Sequence, residues 1–134
     1  MDPRPTALGL TLCDRIIVDQ FTGQPSLISI FTGLQADYFP SPPARFAAYT
    51  VLTGGAGGGI ITLRAIRAGT GEVVYVQRGR INFRDRTDVV QAPFRIEGIV
   101  FPSPAFYRFQ ILVDDELIVG AQRWIRVYGR RNLP

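Results

Sequence analysis

Histidine and lysine are both absent from this 134-residue sequence. Without histidine there is no Ser-His or Cys-His nucleophile pair and no imidazole metal ligand. Without lysine there is neither Schiff-base chemistry nor the lysine of a phosphate-binding loop. Cysteine occurs once, at Cys13, so no internal disulfide can form. That fits a reducing compartment and makes the cytoplasm the expected location. No apolar run approaches the roughly 20 residues of a membrane-spanning helix, so no membrane partner is expected. Met1-Asp2-Pro3-Arg4-Pro5 does not open onto the apolar stretch of a secretory signal. Charge is also scarce: 19% of residues are charged and the net charge is +4, which admits an anionic partner without demanding one.

What is present is arginine, which supplies all 15 basic side chains. Planar guanidinium forks suit phosphate and carboxylate recognition, although a genome whose codons favour arginine gives the same composition. An apolar fraction of 46% is that of a globular chain, and the length is that of one domain spanning 1–134.

No window carries a sustained 3.6-residue apolar period. Short runs rich in Val, Ile, Phe and Tyr alternate instead with Gly, Pro and Asp punctuation. Eight strands follow, over 7–18, 26–35, 45–53, 60–67, 72–80, 89–101, 106–113 and 117–128. The last two read as a hairpin over Asp114-Asp115-Glu116. In the final strand, Ile125 and Val127 share a face with Leu117, Val119 and Ala121, while Trp124, Arg126 and Tyr128 take the other. Tyr107 opens the penultimate strand after Phe101-Pro102-Ser103-Pro104-Ala105. This resembles the tyrosine corner of immunoglobulin-like sandwiches. The expected fold is therefore an all-β, antiparallel, immunoglobulin-like sandwich of about eight strands, preferred to a closed barrel.

The run from Cys13-Asp14 through Gly23-Gln24-Pro25-Ser26-Leu27-Ile28-Ser29-Ile30-Phe31, with Phe39-Pro40 after it, resembles a family of small uncharacterised bacterial β-sandwich proteins. Phe109 to Asp115 matches the aromatic and acidic pair near that family's end. Gln24 and Ser29 depart from the pattern, which tends to place lysine and glycine there. The resemblance implies a β-sandwich and supplies no activity.

Candidate sites are few. The run Gly54-Gly55-Ala56-Gly57-Gly58-Gly59 lacks the Lys-Ser/Thr ending of a phosphate loop and precedes a strand, so it reads as a flexible hairpin tip. If eight strands alternate in direction, Asp19, the glycine run, Asp85 with Asp88, and Asp114-Asp115-Glu116 gather at one end. No ligand-spaced acidic repeat accompanies them to mark a calcium site. The other end gathers two copies of Phe-Pro-Ser-Pro, at 39–42 and 101–104. Phe39 and Phe101 there read either as a cap on the core or as a stiff docking surface.

The strongest candidate is the last strand with its tail, Arg123, Trp124, Arg126, Tyr128, Arg130 and Arg131, to which Arg78, Arg80, Arg84 and Arg86 add a second basic stretch. Tryptophan, tyrosine and arginine are the residues of binding hot spots. Serines without a base, and Cys13 beside Asp14, offer no nucleophile. The expected function is non-catalytic and needs no cofactor: a structural or protein-interaction module that assembles with further copies of the same chain. The alternative is a binder of single-stranded nucleic acid or another anion through the Arg/Trp/Tyr face.

Overall fold

In the computed structural model, which describes residues 4–129, every regular element is a strand. Nine strands form: β1 (Thr6–Val18), β2 (Pro25–Ile30), β3 (Gly33–Ala36), β4 (Ala44–Thr53), β5 (Gly57–Arg67), β6 (Val73–Phe83), β7 (Val89–Ile99), β8 (Ala105–Val113) and β9 (Glu116–Gly129). They make two sheets, a four-stranded one in the order β2-β1-β4-β7 and a five-stranded one in the order β3-β9-β8-β5-β6. The core lies between them. Leu10, Leu12 and Phe46 from the first sheet meet Leu63, Tyr107, Phe109, Ile111 and Ile125 from the second.

The expectation of a purely antiparallel, eight-stranded sandwich needs correction. The single strand expected over 26–35 is two strands in different sheets. Ser29 sits at φ 56, a left-handed conformation that ends β2 after one more residue. The chain then crosses to the five-stranded sheet, where β3 runs parallel to β9, with Gly33 opposite Arg126 and Ala36 opposite Gly129. The extra reversal shifts the order of the loops. Thr53 lies opposite Val89 and Val113 opposite Glu116 at one end, and Val18 opposite Pro25 and Ala44 opposite Ile99 at the other. Asp19 therefore lies with the proline loops, away from the glycine run, Asp85, Asp88 and Asp114.

The two sheets come together along β1 and β9. Gly120, at φ +81, puts its backbone against the carbonyl of Ala7 where a Cβ would collide. Arg123 donates from Nε to the carbonyl of Leu10 at 2.9 Å. The kink at Gly120 also changes the phase of β9. Ile118 is buried while Leu117 and Val119 are exposed, the reverse of strict alternation back from Ala121.

Two local devices hold the proline-rich end. The backbone N–H of Ser41 donates to the carbonyl of Phe101, and that of Phe101 donates to Ser41 Oγ, both at 2.8 Å, so the repeated Phe-Pro-Ser-Pro segments bond to each other. Tyr107 is fully buried, and its hydroxyl donates to the carbonyl of Ser103 at 2.7 Å. Phe109, Ile111 and Val113 follow it on the core side. The glycine run is not a flexible tip. Gly57, Gly58 and Gly59 are strand residues opposite Phe83, Asn82 and Ile81, and a Cβ on Gly55 would strike the Phe83 ring.

Candidate binding face

In the five-stranded sheet, the side chains of Ile61, Leu63, Ala65, Tyr107, Phe109, Ile111, Ile125 and Val127 enter the core. Their neighbours in sequence must stand on the opposite, outer face. Strand register assembles that face in rows. Trp124 lies beside Arg108, and Arg108 beside Ile66. Gln122 lies beside Gln110, Gln110 beside Arg64, and Arg64 beside Val76. Leu112 lies beside Thr62 and Thr62 beside Arg78. Phe106 faces Arg126, and Ile60 faces Arg80.

The result is cationic and aromatic at once. Arg64, Arg78, Arg80, Arg108 and Arg126 stand on one surface with Trp124, Phe106 and Tyr128. Glu116, the first residue of β9, is the only carboxylate within these five strands, and it pairs with Arg4. Asp114 and Asp115, in the β8–β9 turn, border the face beside Arg78 and Arg80. The four-stranded sheet, by contrast, mixes both signs, with Asp14, Arg15, Arg45, Arg95 and Glu97 around one shallow hollow.

The arginines on the outer face are held mostly without carboxylates. Arg64 donates from both Nε and Nη2 to Gln110 Oε1, at 3.1 and 2.7 Å. The Arg108 guanidinium lies 5.2 Å from the centre of the Trp124 ring, and that of Arg126 lies 5.4 Å from the Tyr128 ring. Such stacking holds a cation without neutralising it. Trp124 and Phe106 are 50% and 55% exposed, large values for residues of this size. Beside Trp124 is a hollow of about 400 Å³, walled by Arg67, Arg108 and the turn Ala68-Gly69-Thr70-Gly71. The Nε atoms of Arg67 and Arg108 are shielded from water and have no hydrogen-bond partner there.

The sequence candidates divide. Trp124, Arg126 and Tyr128 share the outer face as expected, and Arg78 and Arg80 join them through β6. Arg123 does not: it points into the β1–β9 seam and bonds to Leu10. Phe101 is 2% exposed and Phe39 half-buried against the core, so these two rings help close the proline-rich end of the core. Arg84 is tied to Asp88 in the β6–β7 loop. Arg130 and Arg131 lie outside the described residues. The sequence alone singles out none of Arg64, Arg108 and Gln110. Their membership of the face follows from cross-strand register, which a single sequence does not display.

The remaining chemistry is structural. Cys13 is fully buried, and that burial, together with the nearby Asp14 charge, pushes its thiol above the usual range, away from a reactive thiolate. Asp19, Asp85, Asp88 and Asp114 are each held below the usual carboxylate range, chiefly by hydrogen bonds from neighbouring residues. The donors are the N–H groups of Thr22 and Phe21, the Thr87 hydroxyl, the N–H of Arg84 and the N–H of Ile60, respectively. These are turn and loop bonds.

No curated protein matches the chain. A family model, described as a family of unknown function (DUF6941), matches residues 8–126, which include both sheets and nearly all of the outer face. The chain belongs to this family of unknown function.

Proposed function

We propose that the chain is a non-catalytic binding module that holds an anionic macromolecule on the outer face of its five-stranded sheet. One observation carries this reading: five arginines and three aromatic side chains share a face whose strands contain a single, already paired carboxylate. An excess of like charges on a compact domain raises its self-repulsion, and a partner of opposite sign offsets that cost. The immunoglobulin-like reading of the scaffold rests on the Tyr107 corner, and a cytoplasmic setting on the single cysteine. Self-assembly, the leading expectation from sequence, is disfavoured through this face, because a two-fold interface would set arginines against arginines.

The test compares two charge-matched triple variants on an immobilised sulfated polyanion. Arg78→Gln/Arg80→Gln/Arg126→Gln removes three charges from the face. Arg15→Gln/Arg45→Gln/Arg95→Gln removes three from the other sheet. The first should elute at clearly lower salt and the second close to wild type. Equal shifts, or no retention of the wild type, would sink the reading.

A further inference from the structure

We infer that the occupant of this face is single-stranded nucleic acid, with a base stacked on Trp124 and an adjoining phosphate held in the hollow between Arg67, Arg108 and the 68–71 turn. The inference rests on the cationic-face reading and goes beyond it by naming the partner and its anchor.

Three observations favour nucleic acid over an acidic protein surface. First, the outer face exposes two flat rings, Trp124 and Phe106, which stand beside guanidinium groups. Alternation of ring and cation matches alternation of base and phosphate; a carboxylate-rich protein would use the cations and leave the rings idle. Second, Trp124 is open on one side. Arg108 covers it from β8, but β3 pairs with β9 only from Arg126 onward. No paired strand residue stands against Trp124 on that side, so a base can stack there with Arg108 on the opposite ring face. Third, the hollow adjoins the same ring. Arg67 and Arg108 both border it, and among the described residues neither guanidinium forms a salt bridge. The hollow thus places two cations beside the ring, where a strand stacked on Trp124 can bring a phosphate. Stacking rather than readout of base edges is expected to dominate, because Thr62 and Gln110 are buried, although Gln122 is an exposed amide of the face. Binding should be tolerant of sequence.

Trp124 is the only tryptophan in the chain, so its emission reports on the site without a label. The experiment titrates the full chain with three polyanions of equal length and charge: an oligothymidylate, its abasic counterpart and polyglutamate. The oligothymidylate should bind at least about fivefold more tightly than the abasic strand, the low end of one base stacking on an aromatic ring, and should quench Trp124. If four arginines each meet a phosphate, its affinity should fall roughly fifty-fold as salt rises from about 50 to 200 mM. Trp124→Ala should remove the preference for bases while leaving abasic binding intact, and Trp124→Phe should restore most of it. Phe106→Ala, also at an exposed position, should weaken the oligothymidylate selectively. Equal affinity for all three probes with unchanged emission overturns the nucleic-acid inference but leaves the cationic-face reading standing. Tighter binding of polyglutamate does the same and points to an acidic protein. No binding of any probe at about 50 mM salt removes both.

Discussion

Gly120 and Gly98 share a φ of +81, and that coincidence makes the closure of the two sheets measurable. An L-residue in this region costs about 1–2 kcal/mol in backbone strain. At Gly98 nothing lies within 4 Å of an added Cβ, so Gly98→Ala should cost that amount and no more. At Gly120 the added Cβ runs into the carbonyl of Ala7, a backbone atom that cannot swing aside. Relief requires β1 and β9 to part, and parting stretches the 2.9 Å bond from Arg123 to Leu10. A hydrogen bond from a charged donor is worth about 1.5–3 kcal/mol, so Gly120→Ala should cost about 3–5 kcal/mol in all. Against a typical total of about 5–15 kcal/mol, the variant should remain folded but poorly so. Urea denaturation of both variants is the assay. With a slope of about 2 kcal/mol per molar, the midpoint should drop by roughly 2 M for Gly120→Ala and by about 0.5–1 M for Gly98→Ala, with unchanged slopes. Equal midpoints would falsify the close approach of β9 to β1 and with it the way the sheets close.

Other consequences are simpler to test. Tyr107→Phe keeps the buried ring but removes the donor to Ser103; because Ser103 is only half-buried, water can replace part of the bond, and the cost should be about 0.5–1.5 kcal/mol by the same denaturation assay. A loss near zero would mean that the hydroxyl bond is not made. The lowered carboxylates Asp19, Asp85, Asp88 and Asp114 stabilise the fold above the ordinary carboxylate range, and that contribution disappears as pH falls through their depressed folded-state values. The melting temperature should thus hold steady from neutral pH to about 5 and fall below about 4. Asp19→Asn, whose amide oxygen can still accept the N–H bonds of Phe21 and Thr22, should flatten part of that decline. A melting temperature unchanged down to about pH 2.5 would contradict the loop bonding.

Most of the strand content was legible because period-two alternation and turn residues are local signals. The core face of β8, from Tyr107 to Val113, is an example: alternate apolar residues fix it without knowledge of its neighbours. The errors arose at two residues that break alternation without looking unusual. Ser29 takes a left-handed backbone, and the family-like pattern tends to place glycine at that position, so the departure marked the break between β2 and β3. Overlooking it merged two strands and sent Asp19 to the wrong end. Gly120 bulges β9, so Leu117 and Val119, which strict alternation would turn inward, are exposed. The candidate face was half legible. Trp124, Arg126 and Tyr128 follow from β9 alone, whereas Arg64 and Arg108 join them only once β5, β8 and β9 are in register.

That register also explains why the arginines can be numerous and unpaired without opening the sheet to water. Thr62, Ile66, Gln110 and Leu112 all occupy outer-face positions, yet each is buried. Their cross-strand neighbours are Arg78 beside Thr62, Arg108 beside Ile66 and Arg64 beside Gln110. The aliphatic stems of arginine lie over such shorter side chains and keep the charged ends in water, as long cationic side chains do on apolar surfaces. Each of these residues therefore has two parts, a stem that covers the sheet and a guanidinium left in water. The two separate in mutants. Arg64→Gln or Arg78→Gln keeps much of the cover and removes the charge, so it should weaken polyanion binding with little change in melting temperature. Arg64→Gly removes both and exposes Gln110 and Thr62, so it should lower stability as well as binding. A guanidinium whose loss changed stability and binding in fixed proportion would be part of the scaffold alone, and the face would then be a covered wall of the sandwich.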